Sequence, residues 1–418
     1  MSLPEEKVHK ILNQCKKLLD QEEVTGRELS QLVGRLSSTV MAILPAPLQY
    51  RHLQREQIQQ LAKSGSLDQK FVLSDQAQAE ILWWSQNLRL NNGRSLILKP
   101  PQLIIQSDAS KEGWGAYCRG VKTGGPWTNA ESQLHINILE MMAAKLAVLT
   151  FTKNLNYLNS IHIQMDNMAA LSYLVKMGGT NCPELVNLSK QIWNYLLSRQ
   201  ITLTAEHLPG YLNVKADFES RNVKDSSEWM LNRTVFLRLC QILGSPLIDL
   251  FASRVSRQLE KYVSWKTDPY SLGRDAFQMP WNQSLNYAFP PFCLIGRVLV
   301  KVQREKADLI LITPAWQGQA WFPKLMEMSI RHPLLLPTTR DLLKNPKGEI
   351  HPLVQNKSLR LVAWTVSGKS YLQKEYQQEL QSSSLKGEEW GQTLITNRPG
   401  ESGLIGVINE KLIPLDVL

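Results

Sequence analysis

The sequence predicts an α/β protein of several domains, and three patterns predict it. Residues 4–90 carry apolar side chains at helical spacing, residues 96–222 alternate strand-like runs with helical ones, and residues 226–365 mix the two again. A chain of 418 residues divides naturally into two or three domains. Hydrophobic residues make up 43% and charged residues 20%, which is enough apolar material for separate cores.

The first region, 1–95, is expected to be helical. "PEEKVHKILNQCKKLL" places Pro4 at a helix start, acids in the first turn and lysines later, as the helix dipole favours. "VTGRELSQLVGRLSSTVMAI" opens on a Thr25–Glu28 capping box, with Leu29, Leu32, Val33 and Leu36 as its apolar stripe. "SDQAQAEILWWSQNL" is a third helix capped by Ser74 or Asp75. "NNGRS" at 91–95 breaks the pattern and marks a boundary.

The second region, 96–225, reads as a mixed-sheet α/β domain. "SLILKPPQLIIQSDAS" and "GWGAYCRG" are strands, "NILEMMAAKLAVLTFTKNL" a helix, "SIHIQMDN" a strand and "MAALSYLVKMG" a helix. "PELVNLSKQIWNYLLSRQ" is a further helix, "ITLTAEHLPG" the last strand, and a short polar helix follows. In the third region, 226–365, "PLIDLFAS" and "ADLILITPAW" read as buried strands. "AFPPFCLIGRVLVKVQREK" reads as a Pro-Pro turn feeding a helix. The remainder, 366–418, is expected to be a tail, partly disordered, with "SSSLKGEEWGQTLITNRPGESG" its loosest part.

The formal net charge of +10 favours a polyanionic partner, nucleic acid first. The five cysteines (Cys15, Cys118, Cys182, Cys240 and Cys293) show no CxxC spacing, which argues against a disulfide framework or a zinc site. A reduced, intracellular setting, cytoplasmic or nuclear, is the expectation. No run of about 18 apolar residues appears, so no membrane partner is expected. "MSLPEEKVHK" lacks the apolar core of a signal peptide.

Four acids in the second region sit at strategic places. Asp108 ends the first strand, Glu140 lies early in a helix, Asp166 ends "IHIQMD" and Asp217 opens "ADFESR". Strand tips and helix starts at one end of a sheet can converge on one site. Carboxylates about 4 Å apart repel by roughly 4 kcal/mol per pair at an effective dielectric of about 20, so a cluster needs protons or cations. Oxygen ligands suit Mg²⁺ or Mn²⁺, and two such ions can activate water and hold the leaving oxygen of a phosphodiester. Each acid also has a plainer reading. Asp108 could cap a turn, Glu140 could close a capping box with Asn137, Asp166 could form an Asx-turn, and Asp217 could be a helix-start acid.

Taken in order, "SDASKEGWGAY", "INILEMMAAKLAV", "IQMDNMAAL" and "HLPGYLNVKADFESR" resemble a type-1 ribonuclease H domain of the kind carried by retroelement polyproteins, over roughly residues 100–222. The resemblance implies that Asp108, Glu140, Asp166 and Asp217 form a four-carboxylate site for two Mg²⁺ or Mn²⁺ ions, with Asp108 bridging both. It implies that His207 aids product release or proton transfer, and that Asn213 reads the 2′-hydroxyl of an RNA–DNA hybrid. A structural His207 in a Pro-Gly turn stays open. The implied reaction is hydrolysis of the RNA strand of the hybrid, with the basic surface gripping phosphates. "LVKMGGTNCP" has one lysine, so it lacks the basic protrusion some members use, and affinity is expected to depend on the flanks.

"TGRELSQLVGRLSSTVMAILPAPLQYR" resembles the thumb and connection that precede ribonuclease H in reverse transcriptases of DIRS-type retrotransposons. The resemblance implies the C-terminal part of such a polyprotein, and an upstream polymerase segment as a partner. A Tyr-x-Asp-Asp-like pair is absent, so no polymerase activity is expected of this chain. "PLIDLFASR", "MPWNQSLNYAFPPFCLI" and "ADLILITPAWQGQAWFPKL" resemble a Rossmann-like adenine-N6 DNA methyltransferase domain. That likeness implies Asp249 near S-adenosylmethionine. Phe289 stands where a polar residue would hold the target amino group, and phenylalanine cannot accept that hydrogen bond. Phe292 retains a ring that can stack on a base. The domain is therefore expected to be degenerate, without S-adenosylmethionine as a working cofactor. The tryptophan pairs Trp83/Trp84 and Trp316/Trp321 read as core. Ribonuclease H is the leading reading. A non-catalytic nucleic-acid-binding or scaffold remnant and a methyltransferase stand behind it.

Overall fold

The structure, a computed structural model, describes residues 1–97, 99–223, 228–382 and 403–418. The chain forms two compact units, one of residues 1–122 and 134–222, the other of residues 123–133 and 223–418. The helical region thus shares a unit with the first mixed sheet, and the break at residues 91–95 does not separate compact bodies.

Four helices open the chain: α1 (Glu5–Leu19), α2 (Gly26–Ser37), α3 (Arg51–Ser64) and α4 (Asp75–Asn87). The Thr25–Glu28 capping box forms, and Ser74 caps α4 by accepting from the Ala77 N–H. Leu29, Leu32, Leu36, Ile81 and Trp84 meet in their core, and the Trp84 indole donates to the Gln49 carbonyl at 2.7 Å. Helix α3 was not singled out in the sequence. Its start is capped from a distance: the buried Glu80 carboxylate accepts from the backbone N–H groups of His52 and Leu53. From α3, Arg51 donates to the Lys176 carbonyl at 2.6 Å and Arg55 to the Thr180 carbonyl at 3.1 Å.

The first sheet contains β1 (Leu103–Ala109), β2 (Gly113–Cys118), β3 (Val121–Pro126), of which only residues 121 and 122 belong to this unit, β4 (Ser160–Met165) and β5 (Thr202–His207). Helices α5 (Ile136–Thr152), α6 (Met168–Val175), α7 (Pro183–Ser198) and α8 (Val214–Arg221) accompany it. Strand order is β3-β2-β1-β4-β5, with β2 antiparallel to β1, β4 parallel to β1 and β5 parallel to β4. This is a ribonuclease H-like arrangement. Residues 96, 97 and 99–102, read as the start of the first strand, are not strand, because Pro100 and Pro101 offer no backbone donor to a ladder. Strand β3, "VKTGGP", was missed because its Gly-Gly-Pro reads as a turn.

The second unit holds α9 (Arg233–Leu243), β6 (Ile248–Asp249), β7 (Leu285–Ala288), α10 (Ile295–Glu305), β8 (Asp308–Pro314), β9 (Leu334–Leu335), β10 (Leu361–Ser367), α11 (Ser370–Glu379) and β11 (Asp416–Val417). Its sheet runs β11-β9-β10-β8-β7-β6, and β6, β7 and β8 are parallel neighbours. Alternate residues of β8 enter two cores, Leu309 and Leu311 one, Ile310 and Ile312 the other. That is why this strand reads as a continuous apolar run. The expected tail is folded at both its described ends, as α11 and as β11 with the hairpin Leu404–Ile408/Lys411–Pro414. Most of its loosest expected stretch, residues 383–402, lies outside the described residues. Among the described residues no helix is long and apolar enough to cross a membrane.

Candidate active site

Parallel pairing of β1 with β4 aligns their C-terminal ends, and α5 packs on β1. One ligand atom each of Asp108, Glu140 and Asp166 falls within 4.8 Å of the others. Asp108 and Glu140 are buried and Asp166 is half-buried. They line an open cleft of about 700 Å³ together with Ser110, Lys111, Asn167 and Arg221. Burial, and then the neighbouring acids against the Ser220 hydrogen bond, raise Asp108 to about 6. Burial first, then the charges of Asp108 and Asp166, push Glu140 up to about 9.

The plainer reading of Glu140 fails on its neighbours. His135, not Asn137, caps α5, accepting from the Asn137 N–H through Nδ1, so Glu140 closes no capping box. Next to Asp166, Asn167 caps α6, accepting from the Ala170 N–H at 2.9 Å.

Asp217 stands outside this group of three. Its carboxylate accepts from Arg221 Nε at 2.6 Å, one helical turn on, although its charge still reaches Asp108. His207 is exposed at the end of β5, opposite Met165, the residue before Asp166. Asn213 differs from expectation. It is fully buried, so it offers no surface to a 2′-hydroxyl. Its Nδ2 donates to the Ser107 carbonyl at 3.0 Å and lies 3.4 Å from Asp108 Oδ1. Asn213 acts inside the protein, beneath Asp108.

Sequence reasoning missed Ser220. Its Oγ donates to Asp108 Oδ2 at 2.6 Å. A serine in "ADFESR" carries no signal by itself, and the contact exists only because α8 lies against β2 and β1.

The three carboxylates fit a divalent cation. All are hard oxygen donors, and Glu140 Oε2 is buried with no hydrogen-bond partner, an orphaned acceptor that a cation would satisfy. Asp249 of the second unit does not fit a ligand role. It is buried and both its oxygens are engaged, one with the Gln258 N–H at 2.9 Å and one with the Phe251 N–H. Those bonds leave burial as the stronger effect and its carboxyl rises to about 7. It braces the loop after β6. Phe289 and Phe251 do line a separate cavity of about 450 Å³ within that unit.

No protein-family model matches this sequence, and no curated protein matches it. Solved structures do. The LC11 ribonuclease H1, isolated from compost by a metagenomic approach, is 17% identical over 28% of this chain and 91% of its own, with a TM-score of 0.25. Ribonuclease H1 of the halophilic archaeon Halobacterium salinarum is 14% identical over 29% of this chain and 96% of its own, with a TM-score of 0.24. The foamy viral protease–reverse transcriptase in complex with RNA/DNA hybrid is 13% identical over 53% of this chain and 28% of its own, with a TM-score of 0.20. At such identities and TM-scores the likeness carries no argument about this chain. The ribonuclease H-like character of the first unit stands on its strand order and directions.

Proposed function

We propose that this chain is a divalent-cation-dependent ribonuclease H that hydrolyses the RNA strand of RNA–DNA hybrids. The observation that carries the reading is the convergence of Asp108, Glu140 and Asp166 at one end of a ribonuclease H-like sheet, with an orphaned Glu140 oxygen among them. Asp108, Glu140 and Asp166 would hold Mg²⁺ or Mn²⁺, and Asp217 would join them for a second ion on leaving Arg221. When bound, such ions lower the pKa of water and offset charge on the phosphate. The chain's own groups do the rest. The carboxylates fix the ligand positions, Asn213 and Ser220 hold Asp108 from within, and the exposed His207 beside the Asp166 strand assists release of the 5′-phosphate product or a proton transfer.

The basic balance of the chain supports a nucleic-acid substrate. We further read the chain as part of a DIRS-type retrotransposon reverse transcriptase. In that reading the helices α1–α4 are a thumb and connection, an upstream polymerase segment is a partner, and the second unit is a degenerate methyltransferase-like domain. Supporting the last point, Asp249 is fully engaged and Phe289 cannot accept from an adenine amino group. The experiment is a substrate panel: hybrid, duplex RNA, duplex DNA and single-stranded RNA, each with Mg²⁺, Mn²⁺ or a chelator. Cutting confined to the RNA of the hybrid and lost with chelator is expected. Metal-independent or hybrid-indifferent cutting would contradict the reading.

A further inference from the structure

Ser220 is fully buried on α8, three residues after Asp217. Its hydroxyl has one proton and two acceptors in reach: Asp108 Oδ2 at 2.6 Å and the Asp217 carbonyl, on its own helix, at 2.9 Å. Hydroxyl–carboxylate bonds run about 2.5–2.7 Å and are roughly twice as strong as neutral ones, so the proton goes to Asp108. The Ser220 backbone is fixed as well. The Ser110 hydroxyl donates to its carbonyl at 2.7 Å, and its N lies against Gly115 of β2, 2.5 Å from where a Cβ would stand.

The other restraint on Asp108 is weaker. Asn213 Nδ2 is 3.4 Å from Oδ1 and has a better acceptor in the Ser107 carbonyl. Ser220 is therefore the short bond that sets the rotation of the Asp108 carboxylate. It occupies one lone pair of Oδ2 and leaves Oδ1 and the remaining pair of Oδ2 as donors beside Glu140 and Asp166.

We propose that Ser220 is a positioning residue for the candidate cation site, orienting the Asp108 carboxylate so that the three acids share one ion. The inference rests on the ribonuclease H reading and adds a residue to it. Partners that orient a metal ligand typically account for about 10–100-fold in metal affinity or activity.

The test is Mn²⁺ binding by the metal-free full chain, read from the electron paramagnetic resonance of free Mn²⁺, for wild type and Ser220→Ala. Hybrid cleavage is then measured against Mn²⁺ concentration. The expectation is Mn²⁺ binding about 10-fold or more weaker in Ser220→Ala. The half-saturating Mn²⁺ for cleavage should shift by the same factor, with a smaller loss of rate at saturating ion. Thermal melting of the metal-free variant checks its fold. Should Ser220→Ala melt below the assay temperature, Ser220→Cys, which keeps a side chain of similar size with only a weak donor, carries the same expectation. A folded variant with affinity within about twofold of wild type overturns the proposal and leaves the ribonuclease H reading standing. A wild type that binds no Mn²⁺ and cuts no hybrid overturns both.

Discussion

Gly115 is the cross-strand partner of Asp108, and the backbone of α8 passes where a side chain on Gly115 would be. A Cβ there would stand 2.1 Å from the Ala216 carbonyl oxygen and 2.5 Å from Ser220 N. The close approach brings Asn213, Asp217 and Ser220 to the carboxylate site.

Gly115→Ala is accordingly expected to be severe. The clash is with backbone rather than with a flexible side-chain end, so α8 must move or β2 must bend. Overpacking of this kind costs about 1–3 kcal/mol. Urea unfolding should show that loss. Hybrid cleavage should fall further than stability does, since three residues that act on Asp108 move together. Unaltered cleavage in Gly115→Ala would contradict the account of how α8 is placed.

The pH dependence has a definite sign. Asp108 is raised to about 6, Glu80 and Asp249 to about 7 and Glu140 to about 9. A carboxyl whose pKa is higher folded than unfolded contributes stability below the unfolded value and loses it as pH rises through the folded one. The metal-free protein should therefore melt at a lower temperature at pH 8.5 than at pH 5.5. Mg²⁺ or Mn²⁺ should restore the share that comes from Asp108 and Glu140 and leave the share from Glu80 and Asp249. A melting temperature that rises over this range without metal would contradict the burial of these acids.

Asn213→Ala separates two roles. As an internal brace, Asn213 satisfies the Ser107 carbonyl, and leaving that carbonyl unpaired costs about 1–3 kcal/mol. Cleavage should weaken with the preference for RNA over DNA intact. Loss of that preference, with stability unchanged, would instead mark a residue that touches the 2′-hydroxyl.

The helical segment should matter to the loop between α6 and α7 of the same unit. Arg51 and Arg55 donate to carbonyls at Lys176 and Thr180, between α6 and α7. The double variant Arg51→Ala/Arg55→Ala is expected to lose about 1–3 kcal/mol and to speed hydrogen exchange at residues 176–181. Unchanged exchange there would mean that these contacts do not hold the loop.

Much of this was legible in the sequence because it follows short-range rules. Asp108 and Asp166 lie within a residue of the C-terminal ends of β1 and β4, and Glu140 sits on a helix with strong periodicity. The capping box at Thr25 and the Ser74 cap were local as well. What was not legible depends on contacts far apart in the chain. Helix α3, with Leu53 and Glu56 as its buried residues, is capped by Glu80 from 27 residues away. Asn213 and Ser220 lie 105 and 112 residues from Asp108. Their roles appear only when α8 is laid over Gly115. The prolines at 100 and 101 hid the true start of β1, and the glycines of β3 hid a strand, since both residue types read as punctuation.

The most direct test of the central claim is cleavage of a strand-labelled RNA–DNA hybrid by the full chain with Mg²⁺ or Mn²⁺, wild type beside Asp108→Asn. Cutting of the RNA strand alone, giving 3′-hydroxyl and 5′-phosphate ends and abolished by Asp108→Asn, is the predicted result. A folded wild type that cuts nothing with either ion, or an Asp108→Asn variant that cuts as well as wild type, would contradict it.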